Sequence, residues 1–429
     1  MKRFCWLIAV VLALAAAAAV WCCCGGGGNR PAMVQSAYVW QRSWTPAVVD
    51  GVRTCPTGLS KLIVLTAQVD WDGVTPRVTL VQPDYDALRR AGLSVGLALR
   101  VTARRTPLDP SEPAVAQVAA LARSLVETAR AAGIEPVEFQ VDYDSAESRL
   151  GEYREWLGSL RRAVLPVPLT ITMLPCWLGN RDVEALVRAT DGFVLQVHSL
   201  EPPATFDPAE ALRLVDVEAA RAAVRRAATL GVPFEVALPT YGYLAAFGPE
   251  GRLLGLTAEG QRPNWPPSAV LRDVRADPAA MAMLVRAWTD RRPGTMRGVI
   301  WYRLPVSGDE RNWASGTLGC VMKGEVPDPA LAARTIVTDD GRLIDIELTN
   351  TGKADARLDG VRVTVGVGAQ RLEAQDGIGG FIARQAGNGV ILAARGMGIP
   401  DLLRPGERRV VGWVRFSEPG PVSVEVGTR

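Results

Sequence analysis

From Ser36 to about Lys323, short apolar runs alternate with stretches whose apolar positions recur at helical spacing. The apolar runs predict strands over 37–41, 62–70, 93–101, 137–142, 169–174, 192–198, 234–238 and 298–303. Helical spacing predicts helices over 112–132, 148–163, 181–189, 215–230 and 278–290. Gly133 and Gly231 stand just past two of them, where a left-handed residue commonly ends a helix. This alternation over about 290 residues predicts an α/β fold, a (β/α)8 TIM barrel spanning 36–326 with an insertion at 245–293. No G-x-G-x-x-G follows the first strand, so a dinucleotide fold has no support.

After Pro327 the pattern changes to strand-like runs over 334–338, 343–349, 361–367, 390–394, 409–416 and 422–426. Turn signals separate them: Asp340-Gly341, Asn350-Thr351-Gly352 and Pro405-Gly406-Glu407. These runs predict a small all-β immunoglobulin-like sandwich over 327–429, similar to modules that accompany secreted bacterial enzymes. Its expected role is a spacer or packing partner, with a separate binding module as the alternative.

Composition adds exclusions. The 429 residues carry 48 basic and 45 acidic side chains, so no strong field directs the chain to nucleic acid. The four lysines against 44 arginines read as coding bias. The N-terminus reads as export machinery: Lys2 and Arg3 precede an apolar run from Phe4 to Trp21, then Cys22-Cys23-Cys24. The expectation is a signal or lipoprotein-type segment over 1–24 and a Gly-rich linker over 25–35. That places the protein in the cell envelope, periplasmic or at the cell surface, with a membrane partner through a lipid or apolar anchor. Trp21, directly before Cys22, departs from the small residue a lipoprotein signal normally has there. Of the cysteines beyond it, Cys55, Cys176 and Cys320, at most two can form a disulfide. The single histidine, His198, excludes sites built from several His ligands, and neither a metal nor another cofactor is expected.

Candidate chemistry lies at strand ends. Gln68-Val69-Asp70-Trp71-Asp72 closes the second strand, Gln140-Val141-Asp142-Tyr143-Asp144 the fourth, and Gln196-Val197-His198 the sixth. Alternation puts Gln68, Asp70 and Asp72 on one face, and likewise Gln140, Asp142 and Asp144. In a barrel these faces point into the mouth at the C-terminal ends of the strands, where catalytic residues sit. Crowded carboxylates repel, so at least one should hold a raised pKa, the condition for general acid catalysis on a glycosidic oxygen. A buried polar ladder is the competing explanation, and suits the glutamines better than the aspartates. A third is an oxygen-rich Ca²⁺ or Mg²⁺ site from Asp70, Asp72, Asp142 and Asp144. Arg100 and Arg303 could pair with the aspartates or bind an acidic sugar. Trp40, Trp44, Trp71, Trp177, Trp301 and Trp313 all fall at or just after strand ends. Flat indoles stack on sugar rings, so the expected partner is a glycan or polysaccharide.

These residues resemble the chitinase-type glycoside hydrolases of family 18, and the barrel is identified with an exported bacterial family of unknown function sharing that architecture. The resemblance covers about 280 residues. Matching that family's fourth-strand D-x-x-D-x-D-x-E at its final D-x-E implies Asp144 as acid and Asp142 as its partner. Gln140 then takes the middle Asp position and Val137 replaces the first Asp. The alternative register puts Ala146 at the acid position and implies a barrel that binds without cutting. The family's Met-x-Tyr-Asp places Gln196 and His198 against the sugar, and Pro239-Thr240-Tyr241-Gly242 matches its seventh-strand segment, implying a catalytic role for Tyr241. The eighth-strand Trp implies Trp301 as the floor of the sugar site. Gln68, Asp70, Trp71, Trp40 and Arg303 complete the expected substrate contacts. The 245–293 insertion, with a hairpin-like 248–260 stretch, resembles the subdomain that family places after strand seven.

Overall fold

The computed structural model describes residues 32–198, 212–258, 263–338, 341–395 and 402–428. The expected export segment and most of the expected linker lie outside the described residues. Regular structure begins at Val34, so the last two positions assigned to the linker, Val34 and Gln35, belong to the first strand.

The parallel strands are β1 (Val34–Val39), β2 (Lys61–Asp72), β3 (Ser94–Val101), β4 (Phe139–Tyr143), β5 (Leu169–Met173), β6 (Gly192–Gln196), β7 (Phe234–Pro239) and β8 (Met296–Tyr302). Each pairs in parallel with its neighbour, and β8 pairs with β1 to close the ring. The fold is the expected (β/α)8 barrel, and every expected strand is present. An antiparallel strand, Thr75–Leu80, extends the sheet from the far half of β2.

Described helices are α1 (Pro46–Arg53), α2 (Tyr85–Ala91), α3 (Pro113–Ala131), α4 (Leu150–Val164), α5 (Val183–Arg188), α6 (Val217–Ala228), α7 (Pro278–Asp290) and α8 (Ser315–Val321). Local chemistry explains their starts. Asp84, Asp216 and Asp277 each accept a backbone N–H from the first turn, and α1, α3 and α7 open with proline, which has no N–H to leave unpaired. Gly133 and Gly231 adopt positive φ just beyond α3 and α6.

The pleat sorts side chains. Tyr38, Trp40, Ile63, Leu65, Ala98, Val194, Ala237 and Ile300 pack together as the barrel interior. The alternate residues, such as Val64, Leu97, Leu99, Phe139 and Val141, are buried on the other face. At the N-terminal end Lys61 sits between Glu138 and Glu235, at 2.7 and 2.8 Å. Ser36 donates to Glu235 and Thr170 to Glu138.

Beyond β7 the strands Gly242–Phe247, Leu253–Thr257 and Val270–Arg275 form an antiparallel sheet with Gly242–Phe247 in the centre. It starts three residues before the expected insertion. Gly242 permits the close pairing, because a Cβ there would lie 2.6 Å from the Val274 carbonyl oxygen. The C-terminal region is a β-sandwich. One sheet orders Leu331–Thr338, Leu343–Asn350, Arg408–Phe416 and Leu372–Gly377; the other orders Phe381–Ala386, Gly389–Ala394, Val361–Val367 and Val422–Thr428. Ile344, Ile346 and Leu348 of the first meet Val361, Val363 and Val365 of the second in one core. Thr317 of α8 donates to the Lys353 carbonyl at 2.7 Å, tying the sandwich to the barrel.

Candidate catalytic cleft

A cavity of about 200 Å³ opens at the C-terminal mouth of the barrel. Its polar wall comes from β3 to β6 and the residues just beyond them: Arg100, Asp142, Asp144, Thr172, Gln196 and His198. Its aromatic wall is Tyr38 from β1 and Trp40 just past it, Tyr302 from β8, and Tyr241 and Tyr243 beyond β7.

Asp142 is the deeper carboxylate, with 13% of its side chain exposed. Thr172 donates to its Oδ1 at 2.8 Å, and Arg100 lies 3.9 Å from Oδ2. Burial pushes its pKa up, opposed by the Arg100 charge and reinforced by that of Asp144. Asp144 is exposed at the rim, one pleat further along. Trp177 fixes the turn after it by donating from Nε1 to the Ser145 carbonyl at 3.1 Å.

On the aromatic wall Tyr302 is the hub. It packs edge-on against Tyr38, Trp40 and Tyr241 at 5.7, 5.6 and 5.3 Å, and stacks on His198 at 5.4 Å. Burial drives the Tyr38, Tyr241 and Tyr302 hydroxyls upward, so they remain protonated hydrogen-bonding groups. Burial also lowers His198 to about 4, leaving a neutral imidazole. Its Nδ1 is 3.5 Å from the Tyr241 hydroxyl.

The structure therefore brings together Asp142, Asp144, Tyr241, Trp40, Gln196 and His198 of the expected residues. It places the others elsewhere. Gln140 is fully buried below the cavity, accepting from Tyr38 at 2.6 Å and contacting Thr170 at 3.4 Å, as a polar ladder would. Gln68 accepts from Arg42 at 2.7 Å and donates to Asp70 at 2.9 Å; neither Gln68 nor Asp70 lines the cavity. Trp71 takes the opposite side of β2, where the Arg104 guanidinium lies 4.7 Å over its ring. Arg303 is buried in an ion pair with Asp309. The four aspartates do not converge: among the described residues no three His, Cys, Asp or Glu side chains could hold a metal ion.

Trp301 requires the clearest correction. It is fully buried, donates from Nε1 to Gln35 Oε1 at 2.8 Å, and lies against Trp313. Ile300 faces the barrel interior, so pleat parity turns Trp301 away and gives the cavity to Tyr302. Trp177 and Trp313 are buried as well. Of the strand-end tryptophans, Trp40 alone lines the cavity. Sequence reasoning does not single out Tyr38, Tyr243, Tyr302 or Thr172, although strict alternation from Ile300 and Trp40 points to Tyr302 and Tyr38.

Residues 99–307 match the model of a family described as a domain of unknown function, DUF3142. The DUF3142 segment runs from within β3 to just past β8 and contains Arg100, Asp142, Asp144, Thr172, Gln196 and His198 of the polar wall. A second model of the same kind, DUF8456, matches 333–417 in the sandwich. No curated protein matches the chain in sequence. Among solved structures, a chitinase from Chromobacterium violaceum is similar at 14% identity and TM-score 0.48, covering 68% of this chain and 99% of that one. The spore cortex-lytic enzyme SleL of Bacillus megaterium is similar at 11% identity and TM-score 0.47, covering 70% and 75%. A chitinase from Bacteroides thetaiotaomicron is similar at 12% identity and TM-score 0.44, covering 68% and 97%.

Proposed function

We propose that the protein is an exported glycoside hydrolase that cuts a polysaccharide or cell-envelope glycan at the C-terminal mouth of its barrel. The observation that carries this is the pair Asp142 and Asp144 under an aromatic wall, one buried with a raised pKa and the other at the rim. Environments that push two carboxyl groups apart are how one site supplies both an acid and an anion.

Burial raises the Asp142 pKa, opposed by the Arg100 charge and the Thr172 hydrogen bond. Protonated Asp144 gives its proton to the leaving glycosidic oxygen, while ionised Asp142, steadied by Thr172 and Arg100, offsets the positive charge developing on the sugar. A water adds to the sugar carbon and returns a proton to Asp144. Tyr302 and Trp40 supply ring faces for the sugar, and Tyr241 and His198 supply polar contacts at its edge. The basic-then-apolar N-terminal segment and its triple cysteine support export and anchoring at the envelope.

A second reading is a glycan-binding protein that does not cut. The position of Ala146 favours it: counted from Asp142 and Asp144 as the two inner carboxylates, the acid falls on an exposed alanine. Glu147 does not replace it, because its side chain does not line the cavity. Reducing-end release from cell-envelope polysaccharides by the purified chain separates the two. Hydrolysis that Asp144→Asn abolishes while the variant still melts cooperatively supports the enzyme; binding without release in the unaltered chain supports the second reading.

A further inference from the structure

Two polar atoms on the cavity wall have no partner: Gln196 Oε1 and His198 Nε2 are buried without a hydrogen bond. His198 is 4% exposed, and both residues line the cavity. Buried polar atoms are ordinarily paired, so these two mark where a ligand completes the site.

Gln196 Oε1 is an acceptor. His198 Nδ1 lies 3.5 Å from the Tyr241 hydroxyl, which is itself 3.4 Å from that of Tyr243. Burial keeps the imidazole uncharged above about pH 4, so it repels no cation. Arg100, the guanidinium lining the cavity, leans on Asp142, and among the described residues no cation pairs with Asp144. The lining thus combines a neutral amide acceptor, an uncharged imidazole, an unpaired carboxylate and the aromatic side chains of Tyr302 and Trp40. An ammonium finds favourable contacts in all of these.

We propose that the sugar ring held in this cavity carries a free amine, so that the substrate class is a cationic, de-N-acetylated amino-sugar glycan. The inference rests on the glycan reading and narrows it.

Calorimetric titration of the full chain tests it with three probes: short oligomers of glucosamine, of N-acetylglucosamine and of glucose. The glucosamine oligomer is expected to bind about tenfold more tightly than the other two, a difference of the size that cation–π and carboxylate contacts supply. Asp144→Asn and, separately, Gln196→Met should narrow that preference to within about threefold. If the acetylated or the uncharged oligomer binds as tightly as the glucosamine oligomer, the amine assignment is overturned and the glycan reading stands. If none of the three, nor any envelope polysaccharide, binds, the glycan reading falls as well.

Discussion

The imidazole of His198 lies stacked on the ring of Tyr302, with ring centroids 5.4 Å apart and planes 24° from parallel. This buried stack holds the histidine neutral, with its pKa lowered from 6.5 to about 4. The folded state therefore binds fewer protons than the unfolded chain between those values. Stability is fully present above pH 6.5 and is lost as pH falls toward 4. A drop of that size corresponds to on the order of 3 kcal/mol. His198→Gln, which does not titrate, should flatten that limb. Urea midpoints at pH 7 and pH 4.5 measure it: an unchanged acid loss in the variant would contradict the buried neutral imidazole.

Asp142 titrates with the opposite sign. Its raised pKa means that the fold favours the protonated carboxyl, so ionisation costs stability as pH rises through the folded value. Asp142→Asn removes that cost. The variant should melt at a higher temperature than the unaltered chain at pH 7, and the gap should close below about pH 4, where the carboxyl is protonated in both states. If the glycan is cut, turnover should fall at least about a hundredfold. A variant less stable at pH 7 would show that Arg100 and Thr172 outweigh burial.

Much of this architecture was legible because a barrel repeats one simple rule. Every barrel strand carries an apolar run bounded by turn residues, and the longer helices, such as α3 and α4, span enough turns for their periodicity to emerge. Helices α1, α2 and α8, of eight, seven and seven residues, went unread, although α5, at six, was found within 181–189. The hairpin strand Thr75–Leu80 was hidden by Pro76 and by its exposed Val78 and Leu80, which lack an apolar face to bury. In the site, the fourth-strand aspartates were readable from alternation alone. The β2 residues were not: the register slips between Leu65 and Ala67, changing which neighbours Gln68 and Asp70 meet. Trp301 failed for a different reason. A composition rich in tryptophan suggested indoles at the mouth, whereas the pleat gives that position to a tyrosine.

That parity makes Trp301 and Tyr302 separable by experiment. Trp301→Ala empties a fully buried site and leaves Gln35 Oε1 without its donor, so it should cost about 3–5 kcal/mol of stability. Glycan affinity of the molecules that remain folded should not change. Tyr302→Ala removes the ring in the cavity and should weaken glycan binding by about tenfold or more. Chemical denaturation paired with titration calorimetry gives both readouts. Loss of affinity in a folded Trp301→Ala protein would restore the indole as the sugar platform.

At the far end of the barrel, Lys61 is the shared cation of two carboxylates, Glu138 and Glu235, each with 10% of its side chain exposed. The pair of contacts holds the ammonium well above its ordinary pKa against the desolvation that would lower it. Burial already pushes Glu235 upward, with the Lys61 charge opposing it. Lys61→Met would leave two like charges facing each other in an apolar setting, and breaking a buried pair in this way costs about 3–5 kcal/mol. Glu235, freed of the opposing Lys61 charge, would then gain a proton as pH is lowered, so the deficit should shrink toward pH 5. The triple variant Lys61→Met, Glu138→Gln, Glu235→Gln should recover most of the loss at pH 7, because no uncompensated charge remains. Melting curves of the single and triple variants at the two pH values decide between a charge effect and simple loss of packing: a deficit that persists unchanged in the triple variant would assign it to packing.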